Sequence, residues 1–121
     1  MPPKRGDRVA PPPRPGKWTL KFADSDTGGD WEQLVQNIPS AALACYDALS
    51  DDPLTYSSRQ KRLRGELSTR EIGGRTLPQR QHEITSGGRV WHCPDAERRV
   101  VLLTLVSMTS PKATHPNKGA R

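Results

Sequence analysis

A chain of 121 residues whose two ends are polar and proline-rich has room for one domain, and with 32% apolar residues and six aromatics its core must be compact. The formal net charge of +6 and a pI near 9.8 favour a polyanionic partner, without separating nucleic acid from an acidic protein. The longest apolar run, Val100 to Val106, is broken by Thr104 and falls far short of the roughly 20 residues of a membrane span.

The N-terminus, MPPKRGDRVAPPPRPG, is basic but has no apolar stretch behind its charges, so it does not read as a secretory signal. A cytoplasmic location with reduced thiols is expected. Six of the twelve prolines fall in these 16 residues, and residues 1–16 are expected to form a disordered basic arm. Order should begin at Lys17, where strict alternation puts Trp18, Leu20 and Phe22 on one face of a strand.

Gly28-Gly29 breaks the chain, and Asp30 with Gln33 has capping-box spacing for a helix carrying Trp31, Leu34, Val35 and Ile38 on one stripe. Pro39-Ser40 opens a second helix, rich in alanine, which Asp51-Asp52-Pro53 stops. The polar stretch Tyr56 to Pro78 reads as irregular, anchored by Leu63 and Leu67. Gln81 to Thr85 and Arg89 to Cys93 flank the turn Ser86-Gly87-Gly88 as a hairpin. After the turn Pro94-Asp95-Ala96-Glu97, the strand Arg99 to Met108 is apolar on both faces and should be interior to a sheet. The expected domain covers 17–109, with a flexible C-terminal tail over 110–121. Its architecture is α+β: a strand, two helices, then an antiparallel meander of three or four strands with the helices packed on one face.

Charge divides along the chain. Ala23 to Asp52 holds seven acids and no Lys or Arg, whereas Pro53 to Val90 holds eight bases against three acids. A basic face opposite an acidic one follows. Cys45 and Cys93 lack CxxC spacing and suit free buried thiols; with His82, His92 and His115 they also lack zinc spacing. The glycine pairs lack the pattern of a phosphate loop and read as turns.

The opening strand, the helical pair with Trp31-Glu32-Gln33-Leu34, the segment Arg62-Leu63-Arg64-Gly65-Glu66-Leu67, and the hairpin joining Gln81-His82-Glu83-Ile84-Thr85 to Arg89-Val90-Trp91-His92 together resemble the RelE/ParE superfamily of toxins from toxin–antitoxin pairs. The resemblance spans roughly Lys17 to Thr114. It implies a toxin neutralised by a cognate antitoxin protein, with no small-molecule cofactor and no membrane partner. Many members are mRNA endonucleases, free or on the ribosome, which implies a metal-independent endoribonuclease that inhibits translation. The ParE branch is directed at DNA gyrase, so a non-enzymatic gyrase-directed toxin, or an inactive regulatory relative, is the alternative. Arg89 matches the family's arginine at the start of the strand after the hairpin turn. Lys61, Arg62 and Arg64 match its basic residues around the Leu-x-Gly segment. The related ending His-Pro-Lys is met here by Ser110-Pro111-Lys112, so Lys112 is kept as a substrate contact while Ser110 replaces a His.

Cleaving RNA through its own 2′-hydroxyl needs a base, a proton donor for the leaving oxygen and cations at the phosphate. Arg89 suits the last role through its paired donors, the alternative being a surface pair with Glu83 across the hairpin. Glu83 and His92 are the titratable groups nearest to it and are the catalytic candidates, His92 as acid or base and Glu83 as base. On an ideal strand Arg89, Trp91 and Cys93 share one face while Val90 and His92 take the other, so Arg89 and His92 converge only through a twist or bulge. Lys61, Arg62 and Arg64 could track a phosphate backbone or dock an acidic antitoxin. Trp91 could stack on a base but is better read as core.

Overall fold

Trp18, Leu20 and Phe22 alternate into the core as the first strand requires, each less than a tenth exposed. The computed structural model describes residues 3–12, 14–85 and 87–108. Strand β1 (Thr19–Phe22) leads into α1 (Ser25–Asn37) and α2 (Pro39–Asp51). Then come β2 (Gln60–Arg62), a short 3-10 turn (Gly65–Ser68), β3 (Thr69–Ile72), β4 (Arg75–Pro78), β5 (Arg80–Glu83), β6 (Arg89–Asp95) and β7 (Val100–Ser107). The α+β architecture is as expected.

Five strands form one sheet in the order β1-β7-β6-β5-β2. The meander β5-β6-β7 is antiparallel, β1 runs parallel to β7, and β2 adds an antiparallel edge. Strand β7 is thus interior, which explains its apolar character. Leu20, Phe22, Val90, Val101, Leu103 and Val106 meet Trp31 and Leu34 of α1 and Ala42, Cys45, Tyr46 and Leu49 of α2 in one core cluster. Full burial of a side chain of Leu or Phe size contributes about 1.5–3 kcal/mol, so this face dominates the stability.

Three local expectations are corrected. Helix α1 begins at Ser25, because Asp24 caps it, its Oδ1 accepting from the Thr27 amide and hydroxyl at 2.8 Å each. Gly28-Gly29 therefore lies inside the helix; a Cβ at Gly28 would meet Pro3 at 2.7 Å, so the glycine lets the arm approach. Val35 stands 42% exposed, so the stripe is narrower than its spacing suggests.

The polar stretch after Tyr56 is not irregular. It forms β2 and a separate two-stranded ribbon, β3-β4, with Ile72 opposite Arg75 around Gly73-Gly74. Both glycines have positive φ, 60° and 79°, the conformation that a two-residue hairpin turn demands. Leu77 is its buried anchor, while Leu67 is 39% exposed.

Among its described residues the arm is docked, not disordered. Residues 6–9 run along the free edge of β1: the Val9 amide donates to the Leu20 carbonyl at 2.8 Å, Gly6 to Phe22 at 2.7 Å, and Phe22 back to Asp7 at 2.9 Å. Val9 is 1% exposed, and the Tyr46 hydroxyl donates to the Pro11 carbonyl at 2.7 Å. The unpaired backbone groups of an edge strand supply the partners that the arm's composition conceals. The tail 110–121 lies outside the described residues.

Candidate functional site

Register across three strands decides which candidate residues meet. In the β5-β6 ladder Glu83 stands opposite Arg89, Gln81 opposite Trp91, His82 opposite Val90 and Arg80 opposite His92. In the β2-β5 ladder Lys61 stands opposite Gln81 and Arg62 opposite Arg80. Arg59 continues this ladder, its carbonyl accepting from the Glu83 amide at 2.8 Å. Because side chains alternate, Arg59, Lys61, Gln81, Glu83, Arg89 and Trp91 share the face turned away from the helices, with Arg59 and Glu83 at the sheet edge also bordering α2.

On that face the Arg89 guanidinium lies 3.5 Å from a Glu83 carboxylate oxygen, with side chains 18% and 34% exposed. Arg89 also donates to the Gly88 carbonyl at 3.2 Å. Arg59 donates to the Glu83 carbonyl at 3.5 Å. Arg89 thus lies beside a partly exposed carboxylate, Arg59 reaches the backbone of the same residue, and Lys61 stands on the same face opposite Gln81. Arg62 and Arg64 are exposed beyond it, with Arg62 reaching the Ser68 carbonyl at 3.4 Å. Lys112 lies outside the described residues.

His92 does not join this group. It is fully buried, and burial, with Arg80 and His82 adding to it, pushes its pKa down to about 3. The bulge that would reorient it does exist, since Trp91 pairs with Leu105 and His92 with Leu103, leaving Thr104 extra. The bulge lies on the β7 side, however, and the β5-β6 register runs through it unbroken. His92 stays on the helix face, opposite Arg89, and a neutral sealed imidazole cannot shuttle protons to solvent at neutral pH.

Trp91 is core, 7% exposed, with its indole nitrogen donating to Gln81 Oε1 at 3.1 Å. Beside it Gln79 accepts from the Thr104 hydroxyl at 2.6 Å and donates to the Leu67 carbonyl at 2.9 Å. This buried network fixes the 3-10 turn over the sheet. Cys45 and Cys93 are both buried and free, and burial raises both thiols, Cys93 to about 12.

Two residues near the site were not singled out from sequence. Arg59 joins Lys61 on one face, a relationship that i, i+2 spacing reveals once β2 is known to be a strand. His82 faces the helices at the sheet edge, and burial followed by the Arg59 charge lowers its pKa. A groove of about 540 Å³ runs between α2 and this edge, lined by Arg59, His82, Glu83 and alanines of α2. A larger one, about 670 Å³, lies between the arm and α1 around Phe22, Trp31 and Val35, away from the basic strands. No helix among the described residues is long and apolar enough to cross a membrane. No family model, curated protein or solved structure matches the chain.

Proposed function

We propose that the chain is a toxin of the RelE/ParE type that acts on RNA in the cytoplasm through the sheet face bearing Arg59, Lys61, Glu83 and Arg89. The observation that carries this reading is the pairing of Arg89 with a partly exposed Glu83 carboxylate on a face that also bears Arg59 and Lys61. Phosphates draw the cations by counterion release, and a guanidinium matches two phosphate oxygens at once. In the reaction, Glu83 accepts the proton of a 2′-hydroxyl as that oxygen bonds to the adjacent phosphorus. Arg89 holds the charge that gathers on the phosphoryl oxygens. The bond to the 5′-oxygen then breaks, leaving a cyclic phosphate, and the departing oxygen takes a proton from water. A cognate antitoxin with acidic side chains would silence the toxin by occupying the same cations.

Mapping RNA 5′ ends after induction without the antitoxin tests the reading; new ends within mRNA are expected. One observation favours the non-enzymatic, gyrase-directed alternative: Arg89 and Glu83 already pair with each other, and His92 is sealed away. Intact transcripts beside broken chromosomal DNA would decide for it.

A further inference from the structure

The groove between α2 and the sheet edge has two unlike walls. On the helix side stand Ala41, Ala44 and Ala48, with Ile38, Ser40 and Cys45 beside them, mostly small side chains. On the sheet side stand Arg59, His82, Glu83 and Thr85, all able to hydrogen-bond, together with Ile84. The volume, about 540 Å³, lies within the roughly 300–1,000 Å³ of small-ligand clefts.

A partner helix seats a row of large apolar anchors on an apolar floor, whereas one wall of this groove is mainly polar and Ile38 and Ile84 are the large apolar side chains of its lining. A heterocycle asks for something different: apolar contact on its faces and donors and acceptors at its edge. Histidine and arginine are also the side-chain types on which unpaired bases stack or hydrogen-bond. The ordinary neutral imidazole of His82 offers one donor and one acceptor. Arg59 borders both this groove and the face that carries Lys61 and Arg89, so a strand whose backbone follows those cations passes the groove's mouth.

We infer that the groove between α2 and β5 receives one unpaired nucleobase of a single-stranded RNA whose backbone lies along Arg59 and Lys61. This rests on the RNA-directed reading above and adds a base subsite to it. It makes the protein a reader of single strands, since a paired base cannot leave its stack to enter the groove without losing its partner.

The test compares a short fluorescent single-stranded oligoribonucleotide with the same strand carrying abasic riboses. The wild-type chain should bind the base-bearing strand more tightly, by roughly tenfold for one seated base. Ala44→Trp fills the groove from an exposed helix position and should remove that preference while leaving the abasic affinity unchanged. His82→Gln, which adds no bulk, should reduce the preference in part and guards against misfolding of the first variant. If both variants fold and keep the full preference, the base is not in this groove, although salt-dependent binding of both strands would still uphold the RNA-directed reading. If Ala44→Trp instead abolishes only the complex with the antitoxin, the groove is a protein dock and the inference is overturned. If the wild-type chain binds neither strand, the RNA-directed reading falls and takes the inference with it.

Discussion

Arg80 and His92 stand directly opposite each other in the β5-β6 ladder, and both are buried on the face that packs against the helices. Among the described residues no carboxylate answers the guanidinium there; the Thr55 carbonyl accepts from it, and the Tyr56 ring lies under it at 4.5 Å. The loop between α2 and β2 is thereby tied to the sheet. The same arrangement makes protonation of His92 costly, since burial and then the Arg80 and His82 charges oppose it.

Acid should therefore unfold the protein early. Above pH 6.5 the imidazole is neutral in the folded and unfolded chains alike and contributes nothing to the pH dependence. Between 6.5 and the folded value of about 3 the unfolded chain takes the proton and the folded one does not, so stability falls with pH. The slope approaches about 1.4 kcal/mol per pH unit for one such group. Urea midpoints measured from pH 7.5 downward in steps of about 0.5 should show this loss, and His92→Leu should flatten most of it, with His82, whose pKa burial also lowers, accounting for the rest. An unchanged acid slope in that variant would place the sensitivity elsewhere.

The docked arm gives a second expectation. Val9→Ala removes two buried methyl groups and should cost about 2 kcal/mol, read as a lower melting temperature. Gly28→Ala should act on the same contact from the other side. Alanine is the better helix former, yet its Cβ would press on Pro3 at 2.7 Å, so the arm should lift and become sensitive to protease. A Val9→Ala protein as stable as wild type would show the arm to be dispensable.

Several of these elements are legible in the residues themselves. The alternation of Trp18, Leu20 and Phe22, the alanine-rich second helix, the hairpin around Gly87-Gly88 and the interior β7 could all be read, because each carries its own periodicity or turn chemistry. Two features could not. The arm owes its order to unpaired groups on the edge of β1, a partner distant in sequence, and β2 is three residues long with no apolar alternation. Site legibility divides in the same way. The pairing of Glu83 with Arg89 follows from a two-strand register, whereas the addition of Arg59 and the burial of His92 depend on which strands flank them.

Exposed cations should govern affinity rather than chemistry. Lys61→Ala and Arg64→Ala each remove one phosphate contact and should lower the slope of log affinity against log salt by about 1, with cleavage of bound RNA preserved. Binding titrations across a salt series measure this. A slope that does not move in either variant would take these side chains off the RNA path.

Arg89 carries the sharpest expectation. Its pair with Glu83 is partly exposed, so Arg89→Ala should change stability by less than about 1 kcal/mol. The protein should still fold and still bind its antitoxin. If the guanidinium stabilises the charge that builds on the phosphoryl group, the same substitution should slow cleavage on the order of 100- to 1000-fold and abolish toxicity. Arg89→Lys should restore only part, because an ammonium keeps the charge and loses the two-point geometry. Glu83→Gln separates the two roles, since it removes the base while leaving Arg89 in place for the phosphate. Cleavage should fall in that variant with RNA affinity unchanged. Should Arg89→Ala keep full toxicity at normal stability, the chemistry is not on this face as drawn, and the basic segment before Gly65 becomes the place to look.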